Sequence, residues 1–108
     1  MPKIHKTDKF KAMMFNERIK QLCEDHQIPQ RKLAAAMDID TASYCKIEKG
    51  ERRVREEQIP IIAEILQTDN EELLTLWLAD QIATVVGNEK ELSNKVLEIA
   101  KQKINHYD

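Results

Sequence analysis

Glycine and proline are scarce in this chain: 108 residues hold two of one and three of the other. That scarcity excludes long unstructured loops and Gly/Pro-rich linkers. One tryptophan, two tyrosines and two phenylalanines are the whole aromatic complement. The β-branched residues do not alternate with polar ones, so strands have no support. Cys23 and Cys45 lack metal-ligand spacing, and no secretory signal precedes them. A disulfide scaffold is therefore not expected; both read as reduced, small hydrophobes. His5, His26 and His106 are scattered, and neither a metal site nor a cofactor is expected. No apolar run is long enough to cross a bilayer. No Gly-rich phosphate loop, paired metal ligands or nucleophile–base arrangement is visible, so an enzyme is not expected.

What remains is helix. Hydrophobic residues make up 42% of the chain, enough for one core, and they recur at helical period almost throughout. The net charge of −2 conceals an asymmetry. Residues 1–66 carry 13 Lys/Arg against 11 Asp/Glu; residues 67–108 carry 4 against 8. The polar, basic start, residues 1–13, lacks periodicity and reads as a mobile arm or an added extension.

From Phe15, apolar positions Phe15, Ile19 and Leu22 predict a first helix, with Asn16 as its cap. A second, short helix runs from about Pro29 or Gln30 to Met37. Asp38 lies where the chain must reverse, in a left-handed conformation that Asp tolerates. Asp40 then caps a third helix by accepting N–H bonds from Ala42 or Ser43. Gly50 ends that helix. After a polar, arginine-bearing loop, a fourth helix begins near Glu57, so that Pro60 falls in its first turn. Asp69 with Glu72 predicts a capping box for a fifth helix, which stops at Gly87. Asn88 with Glu91 predicts another for a sixth.

Two short helices joined by a tight turn form a helix-turn-helix. The stretch "IPQRKLAAAMDIDTASYCKIEKGERR", continued by "IPIIAEILQTDNEELL", resembles the phage-repressor-type helix-turn-helix of the XRE family of bacterial and phage transcription regulators. The resemblance covers about residues 15–74. It rests on the combination of Gln30, Leu33-Ala34, Ile39, Ile47-Glu48 and Gly50. It implies an all-α, five-helix DNA-binding domain, followed here by an additional C-terminal helix.

The resemblance also implies roles. The later helix lies in the major groove while the earlier one crosses the backbone. Gln30 matches a phosphate contact at the start of the earlier helix, with Arg31 beside it. Thr41, Ala42 and Lys46 match positions that look into the groove, and Ser43 one close to the backbone. Arg52, Arg53 and Arg55 occupy the loop that runs along the sugar–phosphate chain. At Cys23 the family often has an arginine paired to the glutamate here numbered Glu48. A thiol cannot make that pair, which leaves Arg18, Lys46, a backbone N–H or water for Glu48.

Trp77, Leu78, Ile82, Val85 and Val86 are more apolar surface than an edge helix normally buries. Either the sixth helix covers them or they form a two-fold contact between copies. The expected organisation is an arm (1–13), a DNA-binding domain (14–80) and a helical extension that packs and dimerises (81–108). The partners implied are a double-stranded, palindromic operator and a second copy of the chain. The location implied is the bacterial or phage-infected cytoplasm, on the nucleoid. Repressor, autoregulator and restriction-modification controller roles all fit the family. The reading from another class is an antitoxin or other protein-interaction module that works through the C-terminal helices.

Overall fold

A computed structural model describes residues 14–107, and the arm expected at residues 1–13 lies outside the described residues. The regular elements among the described residues are all helical. They divide into two compact units, one up to Leu78 and one from Ala79 onward.

The first unit contains α1 (Phe15–Asp25), α2 (Gln30–Ala36), α3 (Thr41–Glu48), α4 (Ile59–Leu66) and the opening turns of α5 (Asn70–Val86). A 3-10 turn, Glu56–Gln58, leads into α4. Each of α1 to α4 turns an apolar stripe inward, and Ile19, Leu33, Tyr44, Ile62, Leu66 and Leu73 are fully buried among them. α2 packs on α3, both also meet the α1–α4 pair, and α3 is held from behind.

The chain can turn so tightly because four successive helices end in the same way. Gln27, Asp38, Gly50 and Gln67 all have positive φ, between 55° and 80°. In each case the next N–H reaches back to a carbonyl five residues earlier. The four bonds are Ile28 to Cys23 (2.9 Å), Ile39 to Ala34 (3.0 Å), Glu51 to Lys46 (2.8 Å) and Thr68 to Ala63 (3.0 Å). This satisfies carbonyls left open by the last turn, and Ile28 and Ile39 then fold onto the core. Asp38 and Gly50 behave as the sequence predicts; the left-handed glutamines are not anticipated by it.

Helix starts are more varied. Asp40 caps α3 as expected, its Oδ1 accepting from Ser43 N–H at 2.7 Å, and Pro60 falls in the first turn of α4. Asn16 does not cap α1, which already begins at Phe15, and its amide instead donates to the Glu48 carbonyl at 3.1 Å. Glu17 takes over at that end by accepting the Met14 N–H. The Glu72 carboxylate accepts from Arg18 Nε at 2.6 Å and from Thr68 Oγ1 at 3.3 Å, and so ties α5 to α1.

The second unit is the remainder of α5, a 3-10 turn (Lys90–Leu92) and α6 (Ser93–Asn105). The Asn88–Glu91 capping box does not start α6, because the 3-10 turn intervenes and moves the helix start to Ser93. None of its described residues is buried.

Relieving one left-handed glutamine tests this account of the turns. Gln67→Gly is expected to raise the unfolding free energy in urea by about 0.5–1 kcal/mol, and the midpoint with it, since it removes a side chain strained at positive φ on the surface. Gly50→Ala is expected to lower it, because φ is +80° and the Asn16 amide lies 3.3 Å from the added Cβ.

Candidate functional site

α3 has two unlike sides. Tyr44, Ile47 and Glu48 are buried, whereas Thr41, Ala42 and Lys46 are exposed and Ser43 and Cys45 half-buried. Ala42 and Lys46 lie one turn apart on the helix surface and Thr41 beside Ala42, so these three share one outward face. Among the described residues, the side chains of Thr41, Ala42 and Lys46 form no hydrogen bond to the rest of the protein. Thr41, Ala42 and Lys46, the three residues expected on that face, are thus on the exposed side of α3.

The inner side holds a polar chain that the sequence does not predict. Gln30 Nε2 donates to Glu48 Oε1 at 2.9 Å, and Cys45 Sγ donates to Gln30 Oε1 at 3.2 Å. The Gln30 amide, expected to face a phosphate, is thus spent inside, between α2 and α3. Arg18, a candidate partner for Glu48, pairs with Glu72. The signal that pointed this way was the missing arginine at Cys23, which left Glu48 in need of a donor. Gln30 lies 18 residues from Glu48 and is brought there by the packing of α2 on α3.

Cys23 Sγ lies 3.4 Å from the Tyr44 hydroxyl. Burial pushes both groups upward from their ordinary values, so each stays protonated at neutral pH. Cys23 and Cys45 are both free thiols, each engaged with a different neighbour.

Positive charge surrounds the exposed face. Arg31, Lys46, Arg52 and Arg53 are exposed, and among the described residues none of them enters an ion pair. Arg55 lies 3.7 Å from Glu57 with both side chains more than 70% exposed, a contact worth little. The Asp40 carboxyl is held below its usual range, first by the hydrogen bonds from Ser43 and then by the fields of Arg52 and Lys46. The Asp40 carboxylate thus feels the fields of both cations, although Lys46 itself lies in the last turn of α3. A rod with small and cationic side chains on its free face, flanked by unpaired arginines, is suited to an elongated polyanion with a groove.

The residues expected at a contact between copies divide. Trp77 is half-buried against the core, and its indole N–H donates to the Val54 carbonyl at 2.8 Å. Leu78, Ile82 and Val85 are exposed, by 45%, 48% and 80%, and Val86 is half-buried.

A family model described as helix-turn-helix, HTH_3, matches residues 19–73. That span takes in α1 from Ile19, all of α2 to α4, and Gln30, Arg31, Thr41 to Lys46, Arg52, Arg53 and Arg55. Neither the curated proteins nor the solved structures gave a match.

Two outcomes check the site's construction. Gln30→Ala leaves a buried carboxylate without its amide donor and is expected to cost about 1–3 kcal/mol in chemical denaturation. In the Glu48→Ala background that cost is expected to shrink; full additivity would show that the two side chains are not coupled. Asp40→Ala is expected to lower Tm at neutral pH. Because the folded carboxyl titrates below its unfolded value, the deficit should close as pH falls through that depressed range.

Proposed function

The chain belongs to the XRE family of DNA-binding helix-turn-helix regulators, and on that premise we propose that it is a sequence-specific transcription regulator, acting as a homodimer on a palindromic operator to repress or autoregulate transcription. Restriction-modification controllers are one such role. The observation that carries this reading is the free face of α3, Thr41, Ala42 and Lys46, with unpaired cations around it.

In this reading α3 enters the major groove. Lys46 donates to guanine O6 or N7, Thr41 bonds to a base edge and Ala42 meets a thymine methyl. Ser43, half-buried at the helix start, sits toward the backbone. Arg31, Arg52, Arg53 and Arg55 neutralise phosphates on either side and fix the register without reading sequence. With the Gln30 amide committed to Glu48 and Cys45, contact at the start of α2 falls to Arg31 and to backbone N–H groups. One long cation and two small side chains are a thin base readout, so duplex shape supplies part of the discrimination.

The second reading is a protein-interaction module, favoured by the uncovered apolar residues of the C-terminal unit. No described helix is long and apolar enough to cross a membrane.

Sequencing duplexes retained from a random pool should return a two-fold symmetric motif. Changing Arg52, Arg53 and Arg55 together to Ala should abolish measurable retention at moderate salt. It should also flatten the slope of log K against log salt by about 3. Unchanged affinity in that variant, with no enriched motif, would favour the interaction module. Lys46→Ala should relax preference at one base position; uniform weakening on all sequences would make it a phosphate contact only.

A further inference from the structure

Building on the homodimeric reading above, we propose that the C-terminal unit is the contact between copies and that its occupant is the same unit of a second chain, the two closing into a four-helix bundle.

The first argument is what this unit lacks. Not one described residue from 79 to 107 is buried, although both helices carry apolar stripes. A segment of about 30 residues cannot bury enough surface to hold a fold alone, and chains below roughly 40 residues normally need metals, disulfides or association. The described residues contain no group of metal ligands, and neither cysteine lies in this segment. Association is left.

The second argument is the spacing of what is exposed. Ile82 and Val85 lie three residues apart on α5, and separately Leu92, Val96 and Ile99 follow at steps of four and three along the 3-10 turn and α6. Steps of three and four are the seam of helices packed side by side at a shallow angle. These five are between 40% and 80% exposed, and Ile104 is 61% exposed. Together the six expose on the order of 600 Å², most of the roughly 800 Å² that one partner contributes to a stable interface. Between α5 and α6 lies an open groove of about 440 Å³, lined by Ala79, Ile82, Ala83, Val86 and Leu97 among others.

Charge permits a second copy as the occupant. Lysines and acidic residues number four each between 79 and 107, so two copies meet without net repulsion. Trp77 lies outside this surface, its indole already bonded to Val54.

Sedimentation equilibrium of the full chain, with Val96→Glu/Ile99→Glu and Val96→Lys/Ile99→Lys variants, tests this. Wild type should run at twice 12.6 kDa. Each variant alone should run as a monomer, its dimer weakened at least about 30-fold. Equal mixing of the two should restore a dimer. The single tryptophan, Trp77, reports whether the first unit stays folded through its emission. If wild type and both variants dimerise alike, the contact lies elsewhere and only this inference falls. A monomeric wild type at 100 µM (a test concentration well above the ~1 μM scale of ordinary dimers) overturns the dimeric reading as well. Variants that lose the dimer singly but stay monomeric when mixed would overturn the direct copy-to-copy contact.

Discussion

Glu48 is the one charged residue buried among the described residues of the first unit, and the way it is satisfied decides where three helices meet. A carboxylate taken out of water is costly unless it is hydrogen-bonded. Its side chain takes a bond from Gln30 at the start of α2, and its main-chain carbonyl takes one from Asn16 on α1. The last turn of α3 is therefore fixed from two sides. Since α3 is only eight residues long, fixing its end fixes the direction of the whole rod. Gly50 belongs to the same joint: the Asn16 amide lies where a side chain at that position would go. The ordinary solution in this family places an arginine against the glutamate; here a neutral amide does the work, and Cys23 takes the vacated place beside Tyr44.

This arrangement separates chemistry from contact. The inner layer of Cys23, Tyr44, Glu48 and Gln30 is saturated with internal partners, and burial holds the thiol and the phenol in their neutral forms. Cys23 and Tyr44 are buried, Cys45 is half-buried, and the exposed Thr41, Ala42 and Lys46 are small or cationic. Asp40 sits at the boundary. Its charge is absorbed by the cap and moderated by Arg52 and Lys46, so one carboxylate at the tip of α3 does not cancel the surrounding positive field.

The parts legible in the sequence are those written locally. Asp38, Asp40 and Gly50 announce a reversal, a cap and a stop within a few residues of where each acts. The inward stripe of Leu33, Ala34 and Ile47 follows from helical period. The helix-turn-helix could therefore be located and its free face named. Gln27 and Gln67 carry no such signal, because glutamine has no preference for left-handed backbone. They adopt it because the following N–H and, at Ile28, the following side chain gain more than the strain costs. The Gln30–Glu48 and Arg18–Glu72 links span 18 and 54 residues and depend on packing that no short window contains. The caps expected at Asn16 and at Asn88 with Glu91 fail for a related reason. A capping residue is a candidate start, and the longer-range geometry chose others.

Thr41, Ala42 and Lys46 hold nothing together: they are exposed, and the buried half of α3 supplies its anchorage. Exchange at such positions ordinarily changes stability by no more than about 0.5 kcal/mol. The scaffold is thus indifferent to what is written on that surface, and under the proposed reading the preference among DNA targets can drift or be redesigned one side chain at a time while the architecture beneath stays the same.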